Sequence, residues 1–205
     1  MTGLRAQKKA DKNRRILEAA TILFRDVGYD SARIEDIAEM AGVSVGTFYN
    51  YFKNKGDILM ATVSMEVEEV LAAGDTIIAR NHDEVAPALS ELIGKYYDHS
   101  LTYLSKEMWR MAMSLSIAQP ETPFSKRYTA LDHRLSKQVC DLIRALQKRG
   151  IVRHEVDCDA VGELLFNNVN MMFIEFVKDE EMDVDGLKAE VAKQNQPVAK
   201  LMSAV

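Results

Sequence analysis

The stretch AGVSVGTFYNYFKNKGDIL, residues 41–59, crowds Phe48, Tyr49, Tyr51 and Phe52 together behind two glycines and a serine. The whole chain of 205 residues has only 7 Phe, 7 Tyr and 1 Trp, so this cluster is not background. Gly42 ends a short helix that runs from about Ala32 to Ala41 with Ser31 as its expected cap; Val43 plugs the corner. Ser44 then caps a third helix, Val45–Tyr51. Two short helices joined by a turn of about three or four residues containing Gly make a helix-turn-helix.

Upstream, Ile16, Ala20, Leu23, Phe24 and Val27 form the apolar stripe of an amphipathic helix from Lys12 to Val27, which Gly28 stops. Downstream, Lys53–Asp57 launches a long helix to about Arg80 on the stripe Ile58, Leu59, Val63, Val67, Val70, Gly74 and Ile77. Further helices are expected at about 84–104, 105–118, 123–149, 158–179 and 184–203, with Asp157 or Asp159 as a start signal and Pro197 kinking or fraying the last. No strand alternation, repeat or low-complexity tract appears, so the fold class is all-α. No linker separates front from body, and the fourth helix belongs to both. The expected division is residues 1–55, a helix-turn-helix DNA-binding domain, and 56–205, a helical effector-binding and dimerisation domain.

Composition agrees. The chain is 47% hydrophobic and 28% charged, ordinary for a globular protein. Its two cysteines make no disulfide framework. No apolar run approaches the roughly 20 residues that span a bilayer, and the charged N-terminus lacks the apolar centre of a signal peptide, so a cytoplasmic protein is expected. Net charge is −5, yet residues 1–55 hold 10 Lys/Arg against 7 Asp/Glu while residues 56–205 hold 16 against 24. A basic front on an acidic body suits a DNA-contacting module, although Lys8, Lys9, Lys12, Arg14 and Arg15 would equally serve as a solvated arm.

In a helix-turn-helix the second helix enters the major groove. Phe48 and Phe52 share a face and should pack inward against Ile16, Leu23 and Ile37. That leaves Val45, Gly46, Thr47, Asn50 and Tyr51 for DNA: methyls of Val45 and Thr47 for thymine, Asn50 for adenine, Gly46 for close backbone approach. Tyr49 and Lys55 suit phosphates. The alternative is that Tyr49 and Tyr51 cap a small core.

These residues, with Gly28-Tyr29, Ile37-Ala38 and Ile58-Leu59, resemble the tetracycline-repressor (TetR) family of bacterial regulators over roughly residues 12–60. The resemblance implies an all-α homodimer with one DNA-binding head per subunit. The family's DNA contacts fall on Val45, Gly46, Thr47, Tyr49, Asn50, Tyr51 and, for a phosphate, Lys55; Ser44, at the cap, is a further DNA-binding candidate. The chain departs from the pattern at Ala32 and Arg33, where members often carry threonines, and at Glu35, where they often carry a basic residue. Arg33 can replace a phosphate contact, whereas Glu35 would repel DNA.

In the body, Trp109 and Met113 belong to a methionine-rich run near Tyr96, Tyr103 and Phe124; they either line a ligand pocket or fill a core. The run FNNVNMMFIEF, residues 166–176, places three asparagines in a helix, where each needs a hydrogen-bond partner. Phe166, Asn167, Asn170 and Met171 are assigned to the pocket. Leu165, Asn168, Val169, Met172 and Phe176 are assigned to a dimer seam, on the analogy that the last two helices of each TetR subunit form a four-helix interface. Asp132 and His133 read as a solvated pair. The histidines show no metal spacing, and no catalytic or cofactor motif is present. The expectation is a repressor, not an enzyme, without cofactor or metal. As a homodimer it would bind a near-palindromic operator and be released by a small apolar or aromatic effector. The alternative is a DNA-binding adaptor whose body binds a partner protein and no small molecule.

Overall fold

The computed structural model describes residues 2–204. In order come α1 (Thr2–Val27), α2 (Ile34–Met40), α3 (Val45–Tyr49), α4 (Lys55–Ile78), α5 (Val85–His99), α6 (Lys106–Ala118), α7 (Pro123–Lys148), α8 (Cys158–Lys178) and α9 (Val184–Met202). The β pairing among the described residues is one isolated antiparallel bridge, Val152 with Ser203. None of these helices is long and apolar enough to cross a membrane.

The chain divides into two compact units. One comprises residues up to 65 with 103–128, the other 66–102 with 129 onward, so α4 and α7 each supply residues to both. The expected boundary at residue 55 lies ten residues earlier, at the start of α4. In the first unit α2 packs on α1 and α3 on α2. Its core holds Ile16, Ala20, Phe24, Ile37, Ala38, Phe48, Ile58 and Leu59, with Met108 and Trp109 of α6, all buried. In the second unit α9 packs against both α5 and α8. There Leu89, Leu92, Leu131, Val139, Ile143, Leu165, Phe176 and Leu187 are buried.

Three boundaries depart from periodicity. α1 begins at Thr2, ten residues before the expected start at Lys12. That first part is rich in strong helix formers, and where it meets the stripe Arg14 pairs with Asp11 at 2.8 Å and Glu18 at 2.7 Å. α2 is capped at Arg33 without a side-chain bond rather than at Ser31, because the turn closed by Ala32 N–H on Gly28 O (3.2 Å) leaves Ser31 outside. α5 stops at His99, and Ser105 opens α6 by accepting from Met108 N at 3.2 Å. α9 runs past Pro197 to Met202. Asp157, not Asp159, caps α8, accepting from the amides of both Asp159 and Ala160.

Candidate nucleic-acid interface and effector body

The corner between α2 and α3 is closed by Val43 N–H on Ala38 O and Gly42 N–H on Glu39 O, both at 2.9 Å, with Gly42 at φ +62°. Arg15 of α1 locks it: its Nη2 donates to Ala41 O at 2.5 Å and to Gly42 O at 3.3 Å. A side chain at Gly42 would be strained by its φ and would also run into that guanidinium. Ser44 then caps α3, its Oγ accepting from Thr47 N at 3.1 Å and meeting Thr47 Oγ1 at 2.9 Å.

Behind α3, Phe48 is fully buried and Phe52 is 6% exposed, their ring centroids 6.1 Å apart. Facing outward are Val45, Gly46, Tyr49 and Asn50, with Tyr49 at 51% exposure; Thr47 and Tyr51 are half-buried. Thus α3 presents small groups and an amide over a braced back. Arg33 is exposed and lies 3.5 Å from Glu35, so its charge is partly answered within the chain. Lys55 is engaged as well. Its Nζ donates to the carbonyls of Tyr29 (2.7 Å) and Asp30 (2.9 Å) and stands 4.9 Å over the Tyr29 ring, leaving one of three N–H donors for a phosphate. Tyr29 is buried, its amide donating to Glu107 Oε1 at 3.2 Å; desolvation, then the charge of Asp30, raises its phenol pKa. Arg15 and Glu107 were not candidates in the sequence, because a guanidinium in a charged run carries no sign of the carbonyls it meets 26 residues away.

In the first unit Trp109 is buried, whereas Tyr103, Met113 and Phe124 are half-buried, with Phe124 stacked on Tyr128 at 6.5 Å. In the second, Tyr96 is buried and its hydroxyl donates to Gln138 Oε1 at 2.8 Å. Gln138 Nε2 donates in turn to Leu71 O and Asp75 Oδ1, each at 2.7 Å. The network fits because position 74 is glycine: a Cβ there would overlap the amide, with Nε2 at 2.8 Å. Burial holds the Tyr96 and Tyr97 phenols well above the usual range, and Tyr97 donates to Val169 O at 2.9 Å. His99 lies between Glu66 and Glu69, with Nδ1 to Oε1 at 2.5 Å and Nε2 to Oε2 at 3.2 Å.

Asp132 is not half of a solvated pair. His133 is exposed, but Asp132 turns toward the buried arc of α7, and burial pushes its carboxyl up to about 7. The asparagine-rich helix is also rotated from expectation. Leu165, Val169 and Phe176 are buried inside their own chain, Met172 is half-buried and accepts from Gln194 Nε2 at 3.4 Å, and Asn168 donates to Asn195 Oδ1 at 3.2 Å. Phe166 is buried and Asn170 half-buried, whereas Asn167 and Met171 face outward, Met171 at 53% exposure. Leu164 at 60% and, on α9, Leu201 at 70% are exposed with them. A one-residue shift turns a helix by about 100°, and Leu164/Met171 and Leu165/Met172 are equally apolar pairs, so hydrophobicity does not tell the two faces apart. No group of three His, Cys, Asp or Glu able to hold a metal occurs among the described residues.

A short helix braced from behind, capped, and carrying a groove-sized outward face defines a helix-turn-helix DNA-binding regulator. Residues 16–62 match the family model of bacterial regulatory proteins, tetR family. The fatty acid metabolism regulator protein of Bacillus subtilis is 24% identical over 206 residues, covering 97% of this chain and 98% of that protein. Among solved structures, a TetR-family regulator of Mesorhizobium loti superposes with a TM-score of 0.73 at 18% identity, covering 95% of this chain and 98% of that one. The FadR repressor of Thermus thermophilus, solved in complex with lauroyl-CoA, gives 0.64 at 21% identity, covering 92% and 93%.

Proposed function

We propose that this regulator is a repressor that binds a near-palindromic operator as a homodimer and releases it when a small, largely apolar ligand enters the body. The observation that carries the reading is the outward face of α3, Val45, Gly46, Tyr49 and Asn50, braced by buried Phe48 and Phe52. In this reading Asn50 pairs with adenine, Val45 and Thr47 meet thymine methyls, Gly46 lets the backbone approach, and Ser44, Tyr49, Tyr51, Arg33 and the spare Lys55 donor face phosphates. Two such heads stand about 34–36 Å apart, one turn of duplex. The dimer forms through the exposed face of α8 and α9 that holds Leu164, Asn167, Met171 and Leu201, rather than through Leu165 and Val169, which are spent on the chain's own core.

The head corresponds to residues 1–55 and the effector body to 56–205, coupled through α4, which is continuous from Lys55 to Ile78. An acyl thioester is the effector class to test first, since the Thermus relative was solved with lauroyl-CoA. A coupling of about 1–3 kcal/mol would change operator affinity about 5–150-fold. Fluorescence anisotropy with the protein's own promoter DNA, with and without lauroyl-CoA, tests both parts. Salt-dependent binding weakened by the ligand supports the reading; binding that ignores lauroyl-CoA removes this effector, and absence of binding removes the operator.

A further inference from the structure

Within the second unit, a cavity of about 310 Å3 runs between α5 and α9. Its middle is apolar, walled by Ile93, Ala189, Val191 and Ala192. Lys188 lies beside Gly94 at one end, and Asn195 lies seven residues further along α9, about 10 Å away. Through Ser90, Gly94 and Lys188 the cavity joins a wider groove of about 560 Å3 that is also lined by Arg80, Glu91, Lys95 and Asp98.

Two polar groups here keep donors that meet no partner among the described residues. Asn195 is 6% exposed and its Oδ1 accepts from Asn168, yet its own amide N–H donors meet no acceptor among the described residues. No fully enclosed side-chain nitrogen or oxygen lacks a partner among those residues, so this amide opens on the cavity. Buried donors are almost always satisfied, and one left open to a cavity calls for an acceptor from outside the chain. In the groove Arg80 pairs with Glu91, and Lys188 holds Asp98 at 2.7 Å and Asp185 at 2.8 Å. Half-buried Lys95 makes no ion pair among the described residues, in a body that is otherwise acidic.

We propose that the α5–α9 cleft is a ligand site for an aliphatic carboxylate of medium length that carries an uncharged hydrogen-bond acceptor at its far end. The carboxylate sits at Lys95, the chain lies along Ile93 and Ala192, and the terminal acceptor takes the Asn195 amide with help from the Ser90 hydroxyl. A second charge at the far end is excluded, because only neutral donors wait there and an unpaired buried charge is costly. Ala192 lies about half a turn round α9 from Leu201, so the cleft stays open when the face around Leu201 is covered.

Calorimetric titration of the purified full chain, without DNA, with 8-hydroxyoctanoate and with octanoate tests the site apart from the operator. The unaltered protein is expected to bind 8-hydroxyoctanoate about fivefold more tightly than octanoate, the effect of one hydrogen bond gained from water. Lys95→Gln should weaken both by about tenfold, Asn195→Ala should erase the preference, and Ala192→Trp should block both while the thermal melt persists. Because Lys95 makes no ion pair among the described residues, Lys95→Gln stays informative even where the other variants are unstable. No binding of either compound at millimolar concentration, or affinities untouched by Lys95→Gln, overturns the site.

Discussion

At the scale of single residues, α3 separates groups that read DNA from groups that hold the reader. Asn50 is exposed and its side chain makes no hydrogen bond among the described residues, so Asn50→Ala should cost about 1–3 kcal/mol at one base position and flatten preference there. Anisotropy against an operator set substituted base by base measures it; an unchanged profile removes Asn50 from readout. Thr47 shares its hydroxyl with Ser44, so its alanine variant should also loosen the cap. Asp132 offers a pH test. Its carboxyl stands near 7 in the folded chain against about 4 in an unfolded one, so the folded state holds its proton more tightly. That contribution is complete below about pH 4 and is lost as pH rises through 7. Asp132→Asn, which stays neutral, should therefore raise the melting temperature at pH 8 and change it little at pH 4; an equal shift at both would contradict the burial of a charge.

At the scale of elements, caps and notches decide where helices lie. Ser44→Ala removes the acceptor for Thr47 N–H and should cost about 1 kcal/mol of stability, read by denaturant melts, with a matching loss of operator affinity. Gly74→Ala pushes a methyl onto the Gln138 amide and should destabilise α4 against α7, whereas Gly74→Ala with Gln138→Ala should recover much of the loss. Additive losses in that double-mutant cycle would deny the clash. Ser44 was legible in the sequence because its cap is local, and Gly28 and Gly42 because positive φ follows helix ends. Ser31 misled because a turn from Gly28 to Ala32 displaced it. The charged start of α1 was invisible to apolar periodicity, and the meeting of Gly74 with Gln138 is long-range, with no local pattern to announce it.

At the scale of the whole molecule, the nine helices of the described residues were legible in the sequence, because their stripes, glycine stops and acidic or serine caps agree with one another. The orientation of α8 could not, since it depends on which of two similar apolar stripes the rest of the chain covers. Placing charges on the stripe that stays outside tests its assignment: Leu164→Lys with Met171→Lys should turn a dimer into a monomer by light scattering and abolish operator binding, with helical content kept. A dimer that survives both changes would move the interface elsewhere.

Lys55 grips the carbonyls of Tyr29 and Asp30, and the first turn of α4 is pinned by Asn54 and Asp57, so the turns that follow α1 and α3 are bolted to the rod that α4 forms. At 24 residues that rod is about 36 Å long. A lever of that length tilted by only about 5° carries its tip roughly 3 Å, close to the rise of one base pair of about 3.4 Å. Angular changes too small to repack a core are thus large enough to put a reading head one rung out of step.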